Sequence, residues 1–224
     1  MKRFVKKEFL LWLVSAFAMT VSNLLVPKPD LLTLFAALVG VTLLVLAAKG
    51  DPLSQILMVL FSLLYGAISF KFRYWGEMIT YLGMTLPMAV WSTVAWIKNP
   101  AEEGKREVKI RILSRRGWLA VSTLTAVTTL IFYFVLKAFS TPNLFFSTVS
   151  VATSFIAAAL TLLRSPFYAL GYAANDVVLI ILWVLASVEN PAYIPVAVNF
   201  AIFLINDFYG FLCWRRRERQ AFGC

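Results

Sequence analysis

The chain has 224 residues, of which 61% are hydrophobic and only 14% charged, with a mean hydropathy of +0.80. A soluble domain carries about a quarter charged residues, so this composition excludes one and defines a polytopic membrane protein. The net charge of +10 does not mark a nucleic-acid binder, because no compact polar domain is left to present a basic surface.

A membrane span needs about 20 mostly apolar residues. Eight segments qualify: 8–27, 31–48, 52–71, 75–97, 117–137, 142–163, 167–187 and 191–213. When the connections are alternated, all but four of the 21 Lys and Arg fall on one side, beginning with Lys2 and Arg3; Lys28, Lys71, Arg73 and Lys137 fall on the other. This asymmetry predicts a multi-pass protein with both termini cytoplasmic and an even number of spans.

The first span follows a charged start but lacks a small-residue cleavage site, so it reads as a retained, peripheral helix. Spans two to four follow with short connections punctuated by Gly50 and Pro52, which makes neighbouring helices antiparallel. Pro87 removes a backbone donor within the fourth span and predicts a bend there. The segment Lys98 to Gly117 is the strongly charged connection, expected as a solvated cytoplasmic linker or a surface for anionic lipid. The fifth span then joins two groups of three. A shift of 118 residues aligns Tyr65 with Trp183, Trp75 with Tyr193, Trp91 with Tyr209 and Trp96 with Trp214, as in a parallel repeat with its binding site between the triplets.

Polar residues inside the apolar segments mark the candidate site. Burying an amide or carboxylate in hydrocarbon costs several kcal/mol unless it is paired or faces water. Tyr172 and Asp176 stand i, i+4 on one helix face, Asn175 lies beside them on another, and Asn199 and Asn206 stand i, i+7 on the last span. A tyrosine one turn from a midplane acid suits a flat cationic ring that carries hydroxyls. Gln55, Ser62, Tyr65 and Ser69 share a face of the third span. Ser147, Ser150 and Ser154 share a face of the sixth, where small hydroxyl residues mark close packing. Glu77 falls near the end of its span, outside the expected site. The bland alternative for all these side chains is interhelical glue.

The sequence has no His, its cysteines are Cys213 and Cys224, and it lacks GxSxG, HExxH and Walker patterns. Enzymatic, metal and cofactor chemistry are therefore not expected.

Three stretches, GDPLSQILMVLFSLLYGAISFKFRYWGEMITYLGMTLPMAVWSTVAW, EVKIRILSRRGW and NFAIFLINDFYGFLCW, resemble the PnuC family of bacterial vitamin transporters across residues 30–216. The resemblance implies an all-α fold: a seven-helix, SWEET-like 3+1+3 parallel-repeat core, here with one extra N-terminal transmembrane helix. The divisions would be 1–29, the extra helix; 30–97, the first bundle; 98–141, the linker and connecting helix; 142–214, the second bundle; and 215–224, a basic cytoplasmic tail. It implies a homotrimer in the bacterial inner membrane. Each protomer would import a vitamin or nucleoside by facilitated diffusion, nicotinamide riboside first, with thiamine, riboflavin or deoxynucleosides as alternatives. Phosphorylation by a cytoplasmic kinase would then trap the substrate, without need of a stable complex. An integral membrane scaffold and proton-coupled transport through Asp176 are the competing readings.

Nicotinamide riboside members are similar in carrying W-x-x-W-x-x-x-N on the sixth core helix. The matching positions here are Ala169, Tyr172 and Asp176, or, with a gap of one residue, Tyr168 and Asn175 with Gly171 at the second tryptophan. Asn199 resembles a substrate-contacting asparagine. The substrate-binding set is thus Tyr172, Asp176, Asn199, Asn206, Asn175, Tyr65, Tyr168 and Gln55.

Overall fold

The computed structural model describes residues 6–222; Lys2, Arg3 and Cys224 lie outside them. Eight helices follow one another: α1 Lys6–Leu24, α2 Leu31–Lys49, α3 Leu53–Lys71, α4 Trp75–Ile97, α5 Arg115–Ala138, α6 Leu144–Leu162, α7 Tyr168–Glu189 and α8 Ile194–Phe222. Seven of them, α2 to α8, are long and apolar enough to cross a membrane. The expected first span forms as α1, but Lys6, Lys7 and Glu8 dilute its apolar run, and α1 is not among the seven.

The helix ends follow from local chemistry. Asp30 caps α2, its carboxylate accepting from Leu32 N (3.2 Å) and from the Thr33 hydroxyl (2.9 Å). Gly50, at φ 74°, ends the same helix, with Gly50 N donating to Ala47 O and Asp51 N to Leu46 O. Helix α6 ends the same way on Arg164, at φ 58°, with Arg164 N donating to Thr161 O and Ser165 N to Leu160 O. Glycine adopts this left-handed geometry freely, whereas an L side chain there costs about 1 kcal/mol.

The bend expected at Pro87 takes the form of a π-helical turn at Tyr81–Thr85, where Leu86 N reaches back to Tyr81 O. The proline stands just beyond it, in the first turn of the restored α-helix, where its missing N–H disturbs the backbone least. Helix α8 continues through the expected tail. No Gly or Pro interrupts residues 211–222, and Arg215 pairs with Glu218 one turn on.

Helix α2 packs on α8, and α4 packs on α6. Tyr65 and Trp183, 118 residues apart, are hydrogen-bonded through Trp183 Nε1 and the Tyr65 hydroxyl at 2.6 Å. The rings of Trp96 and Trp214, at the same separation in sequence, approach to 5.5 Å. Their indoles cross over: Trp96 Nε1 donates to Thr161 O of α6 (2.9 Å) and Trp214 Nε1 to Ala47 O of α2 (2.8 Å). Helix α5 packs on α6 and leaves Leu119, Leu124, Leu130 and Phe134 exposed, as a lipid-facing helix does.

The linker differs from a solvated segment. Its charges are exposed, but Val108 and Ile110 are buried against the Trp96 and Trp214 cluster. Val108 N donates to Gly50 O (2.9 Å), Arg111 N donates to Arg164 O (3.0 Å), and Arg217 Nη2 donates to Val108 O (2.9 Å). The chain from 107 to 112 alternates apolar and polar residues, the pattern of an extended segment with one buried side.

Candidate functional site

Midway along the bundle, six helices surround a cavity of about 40 Å3, enough for one water molecule. Helix α2 contributes Gly40, Leu43 and Leu44; α3 contributes Met58 and Phe61; α4 contributes Tyr81 and Thr85 from its π turn. Ser154 of α6, Tyr172, Asn175 and Asp176 of α7, and Phe200, Phe203 and Asp207 of α8 complete it. The close approach at Gly40 is what lets the Phe203 ring in: a Cβ on Gly40 would lie 2.4 Å from that ring.

Asp176 is 4% exposed and Asp207 3% exposed, and their carboxyl groups lie within hydrogen-bonding reach of each other. Asp176 Oδ2 has no partner. Among the described residues no Lys or Arg lines the cavity, and the sequence contains no His. Asn175 is anchored, its Oδ1 accepting from Thr153 Oγ1 (2.8 Å) and Ser154 Oγ (2.9 Å). The Tyr172 hydroxyl is within reach of the Thr161 side chain, which holds the ring against the cavity wall. Among the described residues no group of three or more His, Cys, Asp or Glu side chains is placed to hold a metal ion.

Aromatic side chains close both ends. Toward the end bearing Phe72 and Tyr193, Trp183 packs on Tyr74 (4.7 Å) and Tyr193 (5.6 Å) and is bonded to Tyr65. Toward the linker, Tyr168 packs on Trp214 (4.8 Å) and Trp96 (6.3 Å).

The structure therefore brings Tyr172, Asp176 and Asn175 together and distributes the other expected residues around them. Asn199 lines a smaller adjoining void with Tyr65, Phe200 and Phe203, and its Oδ1 has no partner. Tyr65 stands between that void and Trp183. Tyr168 belongs to the closure near the linker, and Gln55, in the first turn of α3, bonds Ser54 Oγ (3.2 Å) away from the cavity. Asn206, expected to share the face of Asn199, donates instead to Ser15 Oγ of α1 (3.0 Å) and to Ile202 O (2.8 Å), because α1 covers that flank of α8. Glu77 does not line the central cavity but is deeply buried within reach of Ser150, with Oε2 unpartnered. Asp207, Phe200 and Phe203 were not anticipated. Asn199, Phe203, Asp207, Gly210 and Trp214 form one stripe at i, i+4, i+8, i+11 and i+15, and that spacing is the signal that selects Asp207 over its neighbour.

A small cavity at mid-depth among apolar helices, walled mostly by aliphatic and aromatic side chains with Asn175, Asp176 and Asp207 set among them, is what a membrane carrier for a small solute presents. The chain belongs to the nicotinamide mononucleotide transporter family, whose profile it matches over residues 30–216. It is 26% identical over 193 residues to the nicotinamide riboside transporter PnuC of Neisseria mucosa, covering 84% of this chain and 73% of that one. It is 24% identical over 197 residues to the nicotinamide riboside transporter PnuC of Haemophilus influenzae, covering 87% and 84%. The crystal structure of the vitamin B3 transporter PnuC superposes with a TM-score of 0.81 at 24% identity, covering 95% of this chain and 92% of that chain, and so shares its fold.

Proposed function

We propose that the protein moves nicotinamide riboside, or a ribosylated aromatic compound built like it, across the bacterial inner membrane by opening alternately on either side of the central cavity. The observation that carries this reading is the unpartnered Asp176 carboxylate oxygen at a central cavity walled by Tyr172, Tyr81 and Phe203. A ring stacked on Tyr172 would bring its sugar hydroxyls toward Asp176 and Asn175, and Asn199 would meet the guest as it passes the adjoining void. At about 40 Å3 the cavity is contracted, so Phe203 and Tyr172 must turn aside when the guest enters.

The two helix groups, 30–97 and 142–214, act in this reading as the moving halves, in a 3+1+3 arrangement joined by α5. The support is geometric: residues related by a twofold axis touch each other only near that axis. Tyr65 with Trp183 and Trp96 with Trp214 are such pairs at opposite ends of the cavity. Facilitated diffusion with intracellular phosphorylation, a homotrimeric assembly, cytoplasmic termini and a transmembrane α1 complete the proposal.

Saturable uptake by proteoliposomes of nicotinamide riboside, thiamine, riboflavin and a deoxynucleoside, measured side by side, tests it. Uptake of nicotinamide riboside that is weakened by Tyr172→Ala and Asp176→Ala is expected. Absence of saturable uptake for every compound would favour a scaffold and overturn the reading.

A further inference from the structure

We infer that Asp207, together with Asp176, makes the cavity a charge filter that admits a cationic nitrogen heteroaromatic ring and rejects neutral rings of the same shape. This rests on the transport reading above and narrows it to a substrate class. The two acids arrive from different helices, α7 and α8, and meet at one point of the cavity wall. Each is more than nine-tenths buried, and one carboxylate oxygen of Asp176 faces the cavity without a partner. Two carboxyl groups side by side can be ionised, share one proton or both be protonated, and never present positive charge; a cation entering the site favours the ionised forms.

Among the described residues no Lys or Arg lines the cavity beside the pair. From α4 the facing group is the Tyr81 phenol; from α7 itself, Tyr172, with Tyr168 farther toward Asp207; α2, α3 and α6 present aliphatic, aromatic and hydroxyl side chains. The other acid in range of Tyr81 is Glu77, which adds negative charge. Five rings, Phe61, Tyr81, Tyr172, Phe200 and Phe203, share the wall with the aliphatic Leu43, Leu44 and Met58. Ring faces carry negative quadrupole potential and attract a delocalised cation, and carboxylates in a dry site do so more strongly. A neutral guest would strip water from the acids without answering them, which disfavours binding. Five rings and two acids around one cavity, without a base, form a cage for a charged ring.

The test uses two forms of one ligand. Nicotinamide riboside carries a pyridinium charge; its dihydro form has the same sugar and carboxamide on a neutral ring. The purified full chain in nanodiscs is measured for binding of each form, and proteoliposomes for the ability of each to compete with labelled nicotinamide riboside. The wild type is expected to prefer the oxidised form by at least about tenfold, a ratio that corresponds to about 1.4 kcal/mol. Asp207→Asn, which keeps size and hydrogen bonding, is expected to shrink that ratio several-fold, and Asp176→Asn to do the same; thermal unfolding of each variant checks that it is folded.

Equal binding of both forms by the wild type, or a ratio unchanged in both folded variants, overturns the filter while leaving transport intact. Uptake of thiamine, also a ring cation, in place of nicotinamide riboside, with loss in Asp207→Asn, supports the filter and removes only the choice of vitamin. Saturable uptake of riboflavin or a deoxynucleoside at rates matching the cations overturns the filter.

Discussion

Replacing Tyr65 with Phe removes one oxygen atom and leaves the ring in place, so it isolates the bond that ties α3 to α7. Trp183 is wholly buried, Tyr65 is 3% exposed, and Trp183 Nε1 donates to the Tyr65 hydroxyl at 2.6 Å. The aromatic neighbours of Tyr65, which are Phe61, Tyr81, Phe200 and Trp183, stay in contact with the Phe ring. The cost of Tyr65→Phe is therefore that of a buried indole N–H left without an acceptor, about 1–3 kcal/mol. Interhelical bonds in membranes average about 0.6 kcal/mol and reach about 1.7, because the unfolded chain in lipid finds partners as well. The two ranges overlap at about 1–1.7 kcal/mol. For a soluble chain of this size each kcal/mol shifts the unfolding midpoint by about 2–4 °C. Thermal unfolding of the detergent-purified protein, followed by far-UV circular dichroism, should show Tyr65→Phe lower than wild type by about 2–7 °C on that scale. Tyr168→Phe is the control. It is equally buried but has no hydroxyl hydrogen bond among the described residues, and its midpoint should stay within a degree or two of wild type. A Tyr65→Phe midpoint equal to wild type, or a Tyr168→Phe loss as large, would refute the reasoning.

Three further outcomes follow from packing, backbone and charge. Gly171→Ala places a Cβ 2.9 Å from the Ala157 backbone Cα, which cannot swing aside, so α6 and α7 must part; a loss of about 1–3 kcal/mol by the same unfolding assay is expected, larger for Gly171→Leu. Gly50→Ala and Arg164→Gly should move stability in opposite directions by about 1 kcal/mol, since the first puts a side chain into the left-handed region and the second removes one from it. Asp30 gives a dependence on pH. Burial alone would raise its pKa, but bonds from Lys71, Thr33 and the Leu32 amide outweigh burial and hold it below its ordinary value of 3.8. The stability from that cap is complete above the ordinary value and is lost as pH falls through the lower, folded one. Asp30→Asn should flatten the acid limb of a stability-against-pH profile and leave its shape near neutrality unchanged.

The helices were legible because a span of about 20 apolar residues is hard to read otherwise, and Gly50 and the 118-residue aromatic spacing were legible for the same reason: they are local or periodic. Tyr172, Asp176 and Asn175 emerged because polar groups stand out in apolar sequence. Asp207 did not, although it adjoins Asn206. Choosing between adjacent positions requires knowing which side of α8 faces α1 and which faces α2 and α7, and that is decided by packing between segments far apart in the chain. The π turn at Tyr81–Thr85 has the same character. Pro87 announces a disturbance, but its form depends on how Gly66 of α3 admits Leu82. The burial of Val108 and Ile110 was signalled by alternation in a segment whose charge count pointed the other way.

The linker has a mechanical meaning. Its amides at Val108 and Arg111 grip carbonyls at the ends of two different helices, Gly50 after α2 and Arg164 after α6. Three residues of extended backbone reach about 10 Å, so the strap fixes how far those helix ends can spread while both grips hold. On that side a doorway wider than the strap's slack requires one buckle to come undone.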